Sequence, residues 1–478
     1  MTRKLPSKYL KSWGIDEGRD MIKLSVNEIA RMTGGKLSSK EPEAPVIGFS
    51  IDSRTIKPGE FFIAIKGDNF NGHDFICQAA EKGASGLIVE YPPDPACPGT
   101  VDHVITVEDT CEAMGMIAAG IRKRVDIPVV CITGTNGKTT VKNILSGILS
   151  ARYNVLSCRK SYNNIIGLSL TLFDLDLSHD VAILELGTNH PGEISKLAEI
   201  AGPHMAVITN IGDGHLESFI DREGVFIEKI RLLDFLPDMG IAFLNKDDCL
   251  LTRAGARNAM KKFYGMSAGC DFLITGLFKK EEGYNFSLNG NEFFLPLGGA
   301  HNVYNAAAAI AVSEYFGMSY EEIREALKGV SLPEGRIEKV NINGLVFIND
   351  SYNANPGSFE SALKVLQDNG AAGPKGVVTG DMLELGAESD EFHRMVGRSI
   401  AVGGVDFLIT VGSGARHIAE GAVESGMEED RVLCAADHED AAGMIRQIAD
   451  SGTVILLKGS RATRMEEVLK CFTTSCTP

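Results

Sequence analysis

The chain has 478 residues and a formal net charge of −16. At about 150 residues per domain, that length suggests about three domains. Apolar residues make up 44% and charged residues 23%, an ordinary globular mix that excludes wholesale disorder and a fibrous protein. The acidic balance argues against non-specific nucleic-acid binding, which needs many Lys and Arg contacts to phosphate. Any phosphate ligand must therefore be held at a local site. No run approaches the length of a membrane span, so no membrane insertion is expected. Met1–Met21 is a polar lead-in without the apolar core of a secretory signal. The 10 cysteines are scattered, with no C-x-x-C pair. They are expected to be reduced thiols of a cytoplasmic protein.

After the extension 1–21, residues 22–108 alternate short apolar runs with helical stretches: VIGFSID, EFFIAIKG, the helical stretch 75–82, GLIVE and HVITV. They are expected to form a small α/β domain. A helix is expected over Thr110–Arg124, with Met114, Ile117, Ala118 and Ile121 on its apolar face. The non-alternating strand IPVVCIT (127–133) runs into GTNGKTT, and a helix is expected from about Val141. VAILEL (181–186) and MAVITNI (205–211) repeat the pattern, as befits a parallel sheet buried on both faces. Pro333–Gly335 reads as a linker. Beyond it, LVFIND, GVVTGD, FLITVGSG and TVILLKGS end in Gly, Asp, Asn or Ser, where ligands sit in open α/β sheets. The expectation is an α/β protein of three domains: 22–108, a central P-loop parallel-sheet domain at 109–334, and a Rossmann-like domain at 335–478.

Residues 133–140 read Thr-Gly-Thr-Asn-Gly-Lys-Thr-Thr between a strand and a helix. Gly134, Thr135, Asn136 and Gly137 let backbone N–H groups approach phosphate oxygens, helped by the helix dipole. Lys138 can reach the β- and γ-phosphates, Thr139 can offer its hydroxyl to Mg²⁺, and Thr140 follows. The first glycine of the G-x-x-x-x-G-K-[ST] pattern is replaced by Ile132. The competing reading is a plain glycine-rich turn. Glu185 closes its strand, where a carboxylate can hold Mg²⁺ or simply face solvent. His215 and Lys229 are weak signals alone.

TGTNGKTT, Asn163-Asn164-Ile165-Ile166-Gly167, Glu185-Leu186-Gly187, His215, Lys229, Asn245-Lys246-Asp247-Asp248 and His301-Asn302-Val303-Tyr304-Asn305 resemble the Mur ligase family in order and spacing. These ATP-dependent ligases add amino acids to the UDP-linked peptidoglycan precursor. The resemblance covers roughly residues 22 to 470. Within the family, the likeness is to the branch that joins D-alanyl-D-alanine to UDP-N-acetylmuramoyl-tripeptide. It is carried by Asp52-Ser53-Arg54 with Gly67 and the run 71–75, by Asn349–Pro356, and by the stretch GDMLELG (380–386). The D-N-P-R motif of the diaminopimelate-adding sibling is absent. Ser169 stands where the family usually has Pro, and a local loop change is expected there.

The resemblance implies a reaction in which a carboxylate becomes an acyl phosphate and is then attacked by an amine. It implies ATP and two Mg²⁺ ions, one on Thr139 and Glu185 and a second on His215 and a carbamylated Lys229. Lys138, Glu185, His215 and Lys229 are its catalytic set. Asn302 and Asn305 would face the adenine region, and Arg336 and Asp350 the phosphates and ribose. Asn163 and Asn164 would meet the muramoyl-peptide end, and Ser53, Arg54, Asn71 and His73 the uracil–diphosphate end. Tyr352, Asn353 and Asn355, with Ser460 and Arg461, are candidates for the dipeptide. A monomer is expected. Two other readings stand beside this one: a sibling ligase adding a different amino acid, and a catalytically silent nucleotide-binding relative.

Overall fold

Strands that are apolar at every position, not at alternate ones, must be covered on both faces, and this rule organises the molecule. The computed structural model describes residues 22–474 except 23, 68–69, 94–100, 159–160, 256–258 and 370–372; the extension 1–21 therefore lies outside the described residues. A nine-stranded sheet forms the centre. Its order is Asn291–Leu295, Gly283–Leu288, Phe272–Lys280, Met260–Gly265, Ile241–Asn245, Met205–Ile208, Val129–Thr133, Val181–Glu185 and Val155–Ser157. The strands from Met260–Gly265 to Val155–Ser157 pair in parallel, and Phe272–Leu295 closes the other edge as an antiparallel meander. Val129–Thr133 is wholly buried, with Val130 and Ile132 facing one core and Val129 and Cys131 the other. The Ala-rich helix His301–Tyr315 packs against Lys138–Leu149 on the first of these faces.

A six-stranded sheet follows in the order Glu338–Ile342, Leu345–Asp350, Val454–Lys458, Lys375–Gly380, Phe407–Val411 and Val432–Ala435. All its pairs are parallel except the first. The amino-terminal part holds a five-stranded sheet, Lys36–Ser39, His103–Thr106, Gly86–Val89, Phe61–Ile63 and Phe49–Ser50. Its core joins the central one through Leu24, Phe61 and Ile105. The helix Thr110–Arg124 forms as expected, capped by Asp109 and carrying Arg122, Lys123 and Arg124 in its last turn, where cations oppose the helix dipole favourably.

Three local expectations are corrected. The helix expected from Val141 begins at Lys138, because Gly137 adopts φ 86° and lets the chain turn straight into it. Ser169 lies within the helix Ile165–Phe173 and not in a loop; it is buried, and its hydroxyl has no partner among the described residues. Cys77 is disulfide-bonded, whereas Cys111, Cys131, Cys158, Cys249, Cys270, Cys434 and Cys471 are free thiols.

Candidate active site

The loop after Val129–Thr133 is shaped mainly by the end of the neighbouring strand. Thr135 N donates to Asn210 O (2.9 Å), Asn136 N to Asn210 Oδ1 (3.0 Å), and Thr209 Oγ1 to Asn136 O (2.6 Å). Gly134 has φ 143° and Gly137 φ 86°, and a Cβ would run into Thr209 Oγ1 at the first and Asn305 Oδ1 at the second. Both glycines are therefore required by backbone conformation and by space. Lys138 Nζ folds back onto Gly134 O (2.8 Å) and Thr135 O (3.1 Å). Burial lowers its pKa.

Thr139 Oγ1 donates to Glu185 Oε2 (2.8 Å), and Asn163 Nδ2 donates to Glu185 Oε1 (3.0 Å). Hydroxyl and carboxylate are the oxygen donors that Mg²⁺ prefers. Among the described residues no group of three or more His, Cys, Asp or Glu forms a metal cage. A Mg²⁺ here would thus take most of its ligands from phosphate and water, its usual habit at nucleotide sites.

The loop forms one wall of a cavity of about 860 Å³ lying between the central and carboxy-terminal sheets. Thr135 to Thr140, Asn163, Glu185, His215, Asn302 and Asn305 line it from the central side. Arg336, Asp350, Tyr352, Asn353, Asn355, Ser460 and Arg461 line it from the other. The two sides touch. Asn136 and Asn355 exchange amide hydrogen bonds of 3.2 and 2.9 Å. Arg336 Nη2 donates to Thr139 Oγ1 (3.0 Å), while its guanidinium lies 4.0 Å from the Tyr352 ring centre. Arg336 Nε is buried without a partner among the described residues, an unmet donor beside the phosphate loop that suits an anion. Asn305 sits against Gly137 and donates to Asn302 Oδ1 (2.9 Å).

Lys229 does not line the cavity. It is buried on the helix Arg222–Ile230, and its ammonium has no hydrogen-bond or ion-pair partner among the described residues. Burial, reinforced by repulsion from Lys138, drives its pKa well below the ordinary lysine value. Its neighbour Glu228 is spent on capping, accepting from Gly192 N (2.9 Å) and Ile194 N (2.8 Å).

Other expected residues are placed elsewhere. Asn164 caps the helix Ile165–Phe173 through Gly167 N (2.9 Å) and does not line the cavity. Ser53, Arg54, Asn71 and His73 belong to the amino-terminal part and are not brought to the cavity. Ser53 Oγ is buried and donates to Gln78 Oε1 (2.6 Å). His73 Nε2 accepts from Glu90 N (2.9 Å), its Nδ1 meets Asn71 Oδ1 (2.9 Å), and its ring stacks on Tyr91. Arg54 is exposed and paired with Asp52.

Lys458 and Glu384 are charged residues of the cavity wall to which the sequence assigns no role. Lys458 is 1% exposed and ion-pairs with Asp350; its only sequence signal is a lysine closing an apolar strand. Glu384, within GDMLELG, brings Oε2 to 2.5 Å from His215 Nδ1. The two atoms are in direct contact, with an alignment short of a regular hydrogen bond.

A strand–loop–helix phosphate cradle facing a second α/β sheet across a shared cavity defines a nucleotide-dependent enzyme of several domains. Residues 132–313 match the Mur ligase middle domain, 335–461 the Mur ligase glutamate ligase domain, and 46–122 the Mur ligase family catalytic domain. The chain is 36% identical over 459 residues to the UDP-N-acetylmuramoyl-tripeptide–D-alanyl-D-alanine ligase of Bacillus subtilis, covering 94% of this chain and 98% of that one. It is 34% identical to the enzyme of the same name from Escherichia coli, covering 95% and 99%. The crystal structure of MurF from Acinetobacter baumannii superposes with a TM-score of 0.86 at 30% identity, covering 95% and 99%. MurF from Thermotoga maritima in complex with ADP gives 0.79 at 28% identity, covering 89% and 97%. The chain belongs to the Mur ligase family.

Proposed function

We infer that the chain is an ATP-dependent ligase that joins D-alanyl-D-alanine to UDP-N-acetylmuramoyl-tripeptide in peptidoglycan precursor synthesis. The observation that carries this reading is the shared cavity, with a phosphate cradle on one wall and Arg336, Tyr352, Asn355 and Arg461 on the other. A carboxylate is a poor acyl donor, because oxide would have to leave. The tripeptide carboxylate therefore attacks the γ-phosphorus of ATP, ADP departs, and an acyl phosphate results. The dipeptide amine then attacks the carbonyl, phosphate leaves, and the amine loses its proton as the amide forms. Two anions meet in the first step, so cations must stand between them. Lys138 and Arg336 are side-chain cations that the described residues bring to the loop, and the helix N-terminus adds its dipole. Mg²⁺ held at Thr139 and Glu185, with a second ion at His215, would supply charge neutralisation between phosphate and carboxylate. Closer approach of the two walls over bound substrates would keep water from the acyl phosphate.

Lys229 is suited to carbamylation. Burial and repulsion from Lys138 weaken this amine's hold on its proton, which favours the uncharged, nucleophilic form. Its nitrogen adds to CO₂, a proton leaves, and the product is an anionic oxygen donor of the kind Mg²⁺ takes. We place the uracil–diphosphate end on the amino-terminal part, the enzyme in the cytoplasm, and its working form as a monomer. No described helix is long and apolar enough to cross a membrane.

The test uses precursor labelled with ¹⁸O in the tripeptide carboxylate, together with ATP and D-alanyl-D-alanine. One ¹⁸O should appear in the released phosphate. Release of unlabelled phosphate alongside amide formation would overturn the acyl-phosphate route.

A further inference from the structure

The stretch Gly380–Gly386 is held on several sides within the carboxy-terminal sheet. Asp381 Oδ1 accepts from Ala415 N (2.7 Å), His393 Nε2 from Met382 N (2.9 Å), and Ser460 Oγ from Leu383 N (2.8 Å). Met382 and Leu385 are buried. The turn presents Leu383 and Glu384 outwards, and Glu384 adopts φ 63°, a strained conformation for a residue with a side chain. Its carbonyl accepts from Glu217 N (3.2 Å) across the domain boundary. Its carboxylate has no lysine or arginine partner among the described residues and reaches His215 Nδ1 (2.5 Å). His215 is itself left-handed at φ 57°. Two strained residues thus face one another from different domains. An exposed ion pair contributes little to stability, so domain adhesion does not account for the arrangement.

We propose that Glu384 is a positioning residue for His215: it turns Nδ1 towards the carboxy-terminal domain and leaves Nε2 as the nitrogen open to the second divalent cation. A ligating histidine ordinarily has its other ring nitrogen fixed by such a carboxylate, which sets tautomer and ring orientation. Here the carboxylate comes from the opposing domain, so the second cation site is complete only when the two domains are docked. The nucleotide-side site at Thr139 and Glu185 lies wholly within the central domain and does not depend on Glu384. This inference deepens the proposed function and rests on the placement of a second cation at His215, but its readout does not require either peptide substrate.

The experiment counts Mn²⁺ bound to the whole protein with a non-hydrolysable ATP analogue, by paramagnetic resonance of free Mn²⁺. It compares the unaltered chain with Glu384→Gln, Glu384→Asp and His215→Ala. Glu384→Gln should weaken one of two Mn²⁺ sites by about 10–100-fold and leave the other unchanged. Glu384→Asp should recover part of the loss. His215→Ala should lose the same site. In turnover, Glu384→Gln should lower kcat without raising KM for ATP, and raised Mn²⁺ should restore it. Two unaltered sites in Glu384→Gln, equal weakening of both, or an unaffected His215→Ala would each overturn the proposal. Failure of the dipeptide-ligase reading would show instead in the substrate profile, with the Mn²⁺ counts unaffected.

Discussion

Replacing Lys458 with methionine isolates one buried charge. The Lys458 side chain is 1% exposed and that of its ion-pair partner Asp350 is 16% exposed. Lys458 Nζ also donates to Asn353 O (3.1 Å), and Asp350 Oδ1 keeps only a weak bond from Ile337 N (3.3 Å). Lys458→Met therefore strands a carboxylate largely away from water. Removing one partner of a buried pair costs about 3–5 kcal/mol, and the residual exposure of Asp350 sets the expectation near the lower end, about 3 kcal/mol. That is a large share of the roughly 5–15 kcal/mol by which folded proteins are stable. At about 2–4 °C per kcal/mol for a domain of this size, the carboxy-terminal unfolding transition should fall by about 6–12 °C. The assay is differential scanning calorimetry of the ligand-free protein. The double variant Lys458→Met/Asp350→Asn removes the stranded charge and should recover at least about half of the loss, because paired residues couple strongly. A Lys458→Met transition within about 1 °C of the parent, or a double variant that falls by the sum of the two singles, would show that the Lys458–Asp350 pair carries no such charge penalty.

Gly137→Ala places a Cβ against Asn305 Oδ1 at a residue of φ 86° and should abolish ATP binding in calorimetric titration while leaving the far-ultraviolet spectrum unchanged. Thr139→Val removes the hydroxyl between Glu185 and the Arg336 guanidinium; turnover should fall at least about 100-fold in a phosphate-release assay, with the fold retained. Burial lowers the pKa of His301 from 6.5 to about 4. Its neutral ring therefore contributes fully above pH 6.5, and that contribution is lost as the pH falls towards 4. His301→Asn should flatten the denaturant-midpoint profile over that window, by no more than about 3 kcal/mol.

The sequence carried the phosphate loop because every part of the signal is local: an all-apolar strand, two glycines, a lysine with two threonines, and a helix. The same holds for Thr110–Arg124, whose cap and closing cations lie in its own residues. Roles that depend on distant partners were less legible. Asn164 spends its amide on its own helix N-terminus, Ser53 its hydroxyl on Gln78, and His73 its ring nitrogens on Asn71 and Glu90. No pattern in the chain says which asparagine caps and which binds. Lys458 resembles any lysine at a strand end until the parallel pairing of Leu345–Asp350 with Val454–Lys458 sets it beside Asp350. Glu384 acquires a role only when the two sheets meet. Ser169 looked like a loop residue because a family proline was missing, yet the helix simply continues through it.

One cavity uses ATP to join a tripeptide precursor to a dipeptide, and that reaction can be measured directly. Phosphate release should be followed with ATP, Mg²⁺ and UDP-N-acetylmuramoyl-tripeptide, first with D-alanyl-D-alanine and then with single amino acids, and the product weighed. Release should require both the precursor and the dipeptide, with a product heavier by one dipeptide residue. Release with a single amino acid in place of the dipeptide, or ATP binding without release for any pair, would contradict it.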